Sequence, residues 1–272
     1  MPSTTYRDLT TLEEFVAVVQ LEREIWGPGY DDVVPVPIFA VTIKRGGILI
    51  GAFRDDRLTG FVYSLAGIKD GAPTQWSHML GVVDERRNDG LGYRLKLLQR
   101  DRTLGMGLDL VEWTFDPMQT VNAHFNFAKL GIIVEDYETN IYGESTSALH
   151  RGNPTDRFVA QWWTRTPRVE QRLAGSMPMA PVAIVERANR SRAVGEWREP
   201  VELDDSLEAR RISVEIPMGF TEMLSRAPAL ALEWRAATRQ LFTAYLSRRY
   251  RVVEFFLERA SRTGTYLLVR QD

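Results

Sequence analysis

Arg87, Gly90 and Gly92 place a cation and two closely spaced glycines where an extended apolar run, Trp76–Val83, gives way to helical spacing of Leu91, Leu95 and Leu98. Glycine lets an anion approach the backbone without a Cβ in the way. The first N–H groups of a helix have no intrahelical acceptor and carry partial positive charge. The spacing is therefore that of an anion cradle, with a ligand-free strand-to-helix turn as the plain alternative. A dinucleotide fingerprint would need a third glycine where Leu95 stands, and a P-loop would need Gly-Lys-Ser/Thr, which this segment lacks. Gly105 and Gly107 follow a helix and precede a strand, the order expected of a C-cap.

Titratable residues flank this loop. His78 shares strand parity with Trp76, Leu80 and Val82, so it is expected on the same face as Val82, as a proton acceptor or as a hydrogen-bonded core histidine. Glu112 and Asp116 share a face of the next strand, Leu108–Phe115. Carboxylates buried there are costly unless paired, and Asp116-Pro117 also reads as a turn opener. Asn122, His124 and Asn126 fall on one short helix that ends at Lys129-Leu130-Gly131. Arg151, Arg157, Arg165 and Arg168 cluster around a later strand, where a guanidinium could hold a substrate carboxylate or simply face solvent.

The elements that position these residues alternate between strand and helix. A short strand at Tyr6–Leu9 precedes a helix with a capping box among Thr10, Thr11, Glu13 and Glu14, whose apolar face is expected to be Leu12, Phe15, Val16, Val19 and Trp26. Ile48–Phe53 and Phe61–Leu65 read as a hairpin turned at Arg54-Asp55-Asp56-Arg57. Gln75–Val83, the glycine loop, a helix over Leu91–Leu104 and Leu108–Phe115 form a strand–helix–strand unit; Ile132–Ile141 and Phe158–Thr164 are closing strands. The expected fold is α/β with a mixed sheet and helices on both faces.

The expected organisation is a domain over 1–167, a Pro-rich linker over 168–181 and a C-terminal α/β half over 182–272. That half has strands at Val182–Glu186, Arg211–Ile216, Val252–Leu257 and Tyr266–Val269, and a helix with a buried stripe of Leu230, Trp234, Leu241 and Tyr245.

With 272 residues, 44% of them hydrophobic, the chain can bury a sizeable core, and its net charge of −2 favours neither nucleic acid nor a membrane surface. The absence of cysteine excludes disulfides, thiolate metal sites and a Cys acyl-enzyme. His78, His124 and His150 are too dispersed for a helical zinc pair, no Gly-x-Ser-x-Gly elbow occurs, and no metal is expected. Met1–Tyr6 carries no basic and apolar leader, which makes a cytoplasmic location the expectation. The chemistry left open is transfer without a covalent intermediate.

The pattern Val82-x-x-x-x-Arg87-x-x-Gly90-x-Gly92, followed by a second strand and an Asn-rich helix ending at Lys129-x-Gly131, resembles the coenzyme A loop of the GNAT superfamily of N-acyltransferases over about the first 165 residues. The resemblance implies a central parallel strand pair that splays to admit pantetheine. It also implies backbone bonds from Val82 and Val83, and pyrophosphate held by Arg87, Asn88, Asp89, Gly90, Leu91 and Gly92, with Asn122, Asn126 and Lys129 as further coenzyme contacts. Many members carry a tyrosine acid where this chain has Phe127. Tyr142 or Tyr137 could replace it, with an ordinary half-buried strand tyrosine as the plain alternative for each, and His78, Glu112 and Asp116 complete the catalytic candidates. The C-terminal half is similar to the second half of a GNAT fold without its loop, a degenerate repeat with a structural or dimerising role.

The expected co-substrate is acyl-CoA, acetyl or succinyl, and the partner a small-molecule amine. Trp113-x-Phe115-Asp116-Pro117 with Asn122-x-His124-x-Asn126 is similar to a GNAT subgroup linked to N-acylation, including N-succinylation, of amino acids. An α-amine with pKa about 8 also needs less deprotonation than a lysine near about 10.4. Two alternatives are a non-catalytic acyl-CoA-binding or interaction protein, and an aminoglycoside-type enzyme, which would want a more acidic substrate face.

Overall fold

The computed structural model describes residues 4–27, 29–83, 85, 89–143, 153–176 and 185–272. Its elements are β1 (Thr5–Asp8), α1 (Leu12–Trp26), α2 (Val36–Lys44), β2 (Ile48–Arg54), β3 (Arg57–Lys69), β4 (Ala72–Val82), α3 (Leu91–Gly105), β5 (Leu110–Phe115) and α4 (Thr120–His124). α4 runs on into a π-helical turn, Phe125–Leu130. There follow β6 (Ile133–Glu138), β7 (Arg157–Trp163), α5 (Pro167–Leu173), β8 (Glu186–Arg187), β9 (Asn189–Val194), β10 (Trp197–Leu203), β11 (Arg211–Pro217), α6 (Phe220–Arg226), α7 (Pro228–Ser247), β12 (Tyr250–Glu258) and β13 (Thr263–Arg270). The chain divides into two compact units, one running to Trp113 and the other from Thr114, so the division falls inside β5.

In the first unit β1, β2, β3 and β4 form an antiparallel run, and β4 pairs in parallel with β5. The β2–β3 turn is the expected one, with Asp55 at φ 48° and Asp56 at φ 62°, the left-handed pair that suits a tight hairpin. β3 is buried on both faces. Phe61 and Tyr63 meet Phe15, Val18 and Phe39 of α1 and α2, whereas Val62 meets Leu91 and Leu95 of α3.

The Thr11–Glu14 capping box forms as expected. The expected buried stripe of α1 forms in part. Phe15 is buried and Val19 and Trp26 pack against the same core, whereas Leu12 and Val16 are exposed and Val18, Leu21 and Glu22 are buried in addition. The buried face is thus rotated from the expected one and overlaps it. It can bury a carboxylate because the Val34 N–H donates to Glu22 Oε2 at 2.8 Å.

In the second unit the order is β7-β6-β12-β13-β11-β8, with β5 the neighbour of β7. The sequence strand, helix, strand, strand therefore occurs twice, as β5-α4-β6-β7 and as β11-α6/α7-β12-β13. Its spatial order β5-β7-β6 returns as β11-β13-β12, and the two triplets join where Val134 of β6 pairs with Val252 of β12. This topology supports the repeat read from the sequence. Trp234, Leu241 and Tyr245 of α7 are fully buried, as their spacing predicts.

A ring cluster of Phe115, Phe127, Phe158, Phe242 and Tyr266 fills this core, with neighbouring centroids 4.5–6.2 Å apart. The stretch expected as a linker begins with α5, and the β9–β10 hairpin has no counterpart in the sequence reading. No described helix is long and apolar enough to cross a membrane.

Candidate functional site

Parallel pairing of β4 with β5 comprises Gln75↔Val111 and Trp76↔Glu112 among the described residues, yet β4 continues to Val82. Among the described residues its far edge is unpaired beyond Trp76. The antiparallel ladder with β3 fixes which backbone groups face that edge. Just past β4, the Val83 N–H donates to Thr59 O at 3.0 Å, and alternate residues of such a ladder aim at opposite neighbours. Gly81 and Val83 thus bond to β3, while Leu80 and Val82 turn their N–H and C=O to the open side. Of the two residues expected to bond pantetheine through the backbone, Val82 faces that side and Val83 gives its N–H to Thr59, while Leu80, which the sequence reading does not single out, shares the direction of Val82.

The open edge leads towards α3. Gly90 is the N-cap of α3 at φ 78°, a left-handed conformation that L side chains rarely adopt, and no side chain among the described residues caps the helix. A Cβ on Gly92 would meet only Leu80 Cδ2 at 3.7 Å, so the backbone at that turn is open to approach. Leu91 is buried against the sheet, which anchors the first turn. Asp89 is exposed, and Arg87 and Asn88 lie outside the described residues.

His78 departs from its expected face. The register shifts from Tyr63↔Met79 to Ser64↔Ser77, which makes His78 the extra residue of a β-bulge. Simple alternation would have set it with Leu80 and Val82 on the α3 face. The bulge sets it with Met79 on the α1–α2 face instead, its ring edge-on to Tyr63 at 5.9 Å. His78 is exposed at its outer side, yet the surrounding strands desolvate the imidazole enough to lower its pKa below 6.5.

The carboxylates are engaged. Glu112 is buried, with Oε1 3.2 Å from Lys69 Nζ. Asp116 receives both guanidinium nitrogens of Arg235 at 2.8 Å and the Met118 N–H at 2.9 Å. Burial works against its charge, but the Arg235 cation prevails and holds the carboxyl below the usual aspartate range. Asp116, a catalytic candidate of the sequence whose burial calls for a partner, is paired with Arg235 in this way.

The tyrosines divide. Tyr137 donates to Asp156 at 2.7 Å and its phenol pKa is pushed up, first by burial and then by the Asp156 charge, which makes it a poor acid. Tyr142 is exposed, its hydroxyl 2.7 Å from Thr114 Oγ1. Phe127 is fully buried among the rings.

Asn122 is exposed on α4. Asn126 is fully buried, its Oδ1 and the nearby His124 Nδ1 without hydrogen-bond partners. Lys129 is exposed. Arg168 is committed to Gly131 O and Glu254 Oε1, both at 3.1 Å; Arg157 is buried, Arg165 is exposed, and Arg151 lies outside the described residues.

No family model and no curated protein matches the sequence. Solved structures similar to the chain include an acetyltransferase of the GNAT family from Streptococcus pneumoniae, 13% identical with a TM-score of 0.48, covering 58% of this chain and 98% of that one. Another is the ribosomal-protein-S18-alanine N-acetyltransferase from Escherichia coli, 13% identical with a TM-score of 0.47, covering 58% and 92%. A third is the paia N-acetyltransferase from Thermoplasma acidophilum in complex with coenzyme A, 19% identical with a TM-score of 0.41, covering 58% and 98%.

Proposed function

We propose that the protein is an acyl-CoA-dependent N-acyltransferase of GNAT type that moves an acetyl or succinyl group to the amine of a small molecule, foremost an amino acid, by direct attack. The observation that carries this reading is the open edge of β4. Its pairing with β5 stops at Trp76↔Glu112 while Leu80 and Val82 face outward towards a helix that starts on Gly90. An extended pantetheine arm matches that edge as an added strand, and its pyrophosphate matches the uncapped first turn of α3.

The residues support roles as follows. Leu80 and Val82 bond the arm, Gly90, Leu91 and Gly92 cradle the anion, and Arg87, Asn88 and Asp89, which precede them in the sequence, are proposed as further contacts to it. Asn122, Asn126 and Lys129 are proposed as further coenzyme contacts. His78 accepts the proton of the attacking amine, a role suited to an imidazole whose lowered pKa keeps it neutral at pH 7. Residues 182–272 are assigned a structural role, since their strands continue from β6. We place the enzyme in the cytoplasm.

A second reading, a non-catalytic acyl-CoA-binding protein, is favoured by the ion pairs that occupy Glu112 and Asp116 and by Phe127 in place of an acid. Thiol release from acetyl-, succinyl- and longer acyl-CoAs against L- and D-amino acids separates the two. Turnover with one acyl–amine pair supports the enzyme; saturable binding with no turnover across the panel supports the second reading.

A further inference from the structure

Ser77 and Trp113 are the first residues of β4 and β5 beyond the last described pair between them, Trp76↔Glu112. The side chain of Lys96, from α3, is inserted at this point. Its Nζ donates to Ser77 Oγ at 2.9 Å and to Gln99 Oε1 at 3.1 Å, and sits 3.6 Å from the centroid of the Trp113 ring. Lys96 is 2% exposed.

A lysine buried this deeply normally has a carboxylate partner. Lys96 has none among the described residues, and Glu112 is engaged by Lys69 instead. Burial alone pushes the ammonium well below the ordinary lysine range, which makes it a readier proton donor. An apolar side chain of similar length would fill the same space without that desolvation cost.

The hydrogen bonds give Ser77 a direction. Its Oγ accepts from Lys96 and also from Gln99 Nε2 at 3.0 Å, so both lone pairs are filled. Its own proton must then point away from both donors, and no described acceptor takes it. The result is a hydroxyl whose lone pairs are filled by a buried lysine and Gln99, where the described pairing of β4 with β5 ends.

We propose that Ser77 is the proton donor to the departing coenzyme A sulfur and that Lys96, the positioning residue behind it, restores that proton, which supplies the acid that Phe127 cannot. This rests on the acyltransferase reading above. The amine nitrogen attacks the thioester carbonyl carbon, forming the C–N bond, and its proton passes to His78. As the tetrahedral intermediate collapses, the C–S electron pair goes to sulfur, which takes the Ser77 proton. Lys96 Nζ reprotonates Ser77 Oγ and is left neutral. Solvent then returns a proton to Lys96 and removes one from His78. The products are the amide and free coenzyme A thiol.

The test needs coenzyme A alone. Because the chain has no cysteine, the ultraviolet absorbance of a thiolate, corrected for the protein without ligand, reports only the bound coenzyme. A donor backed by a cation favours the thiolate, so the bound thiol should titrate about one unit or more below free coenzyme A. Ser77→Ala and Lys96→Met should bring it back towards the free value with calorimetric affinity retained, and Lys96→Arg should keep it low. In turnover, Ser77→Ala should lower kcat by about 10²-fold with little change in KM. Ser77→Ala removes one oxygen and stands in for Lys96→Met should that variant fail to fold. Coenzyme A bound with an unshifted thiol pKa in the wild type, or a shift unchanged in Ser77→Ala, overturns the relay. Failure to bind coenzyme A at all overturns the acyltransferase reading itself.

Discussion

His78 and Tyr63 meet edge to face, centroids 5.9 Å apart, because the bulge in β4 turns the histidine onto the side of the sheet covered by α1 and α2. Tyr63 is fixed in turn by Thr42 Oγ1 at 2.7 Å, so the imidazole rests on a ring that cannot swing away. The histidine is held at the open edge of β4 without being buried in the core.

His78→Gln keeps similar bulk but cannot accept a proton. Coenzyme A affinity should stay near wild type while kcat/KM falls by about 10²-fold or more. The acid limb of the wild-type pH–rate profile should lie below the ordinary histidine value of 6.5, since desolvation lowers this pKa, and should vanish in the variant. Full activity with an unchanged profile would return His78 to a structural role.

Asp116→Asn should act on stability and leave chemistry alone. It strands the fully buried Arg235 guanidinium, and breaking a buried pair in this way costs about 3–5 kcal/mol. The Asp116 pKa is depressed on folding, so its contribution is present above the unfolded value of about 3.9 and is lost as pH falls through the lower folded value. Denaturant titration at neutral pH reads the loss. A stable Asp116→Asn with no turnover would make this carboxylate catalytic after all.

Glu22 has the opposite sign. Burial raises its carboxyl pKa to about 7, with Oε1 left without a partner. A raised folded pKa favours folding fully below the unfolded value, and the advantage is lost as pH rises through about 7. Wild-type stability should therefore decline between about pH 4.5 and pH 7 by up to about 3 kcal/mol from this group. Glu22→Gln, which can still accept from Val34 N–H, should flatten that decline in a melting series across pH. An unchanged slope would show that Glu22 does not titrate there.

The sequence made the local rules legible and the long-range ones not. The Thr11–Glu14 capping box, the Asp55-Asp56 turn and the Gly90 helix start are each set within a few residues, and each appears as read. The face of His78 was missed because alternation counts every residue, and a bulge inserts one that the count does not see. The face of α1 is legible only in part: Phe15, Val19 and Trp26 pack inward as their spacing predicts, but the burial of Glu22 depends on the distant Val34 N–H.

The fate of Asp116 depends on Arg235, 119 positions away, which no spacing rule reaches. Leu80 carries no sequence signal for a related reason. The role proposed for it rests on the direction of its backbone, fixed by register with β3 and not by its side chain. The β5-β7-β6 and β11-β13-β12 correspondence was legible as an order of elements, though the hairpin of β9 and β10 inserted before β11 carried no signal that was recognised.

The most direct measurement of the central claim is titration calorimetry of coenzyme A into the wild type and Gly92→Asp. The Gly92 Cβ position is unobstructed, with Leu80 Cδ2 3.7 Å away, so the variant should fold, and its carboxylate would stand in the first turn of α3 where the pyrophosphate is proposed to bind. Saturable binding by the wild type, weakened by about 10²-fold or abolished in a variant with unchanged circular dichroism, is the predicted result. Equal affinity in the two folded proteins, or no binding by the wild type, would contradict the account.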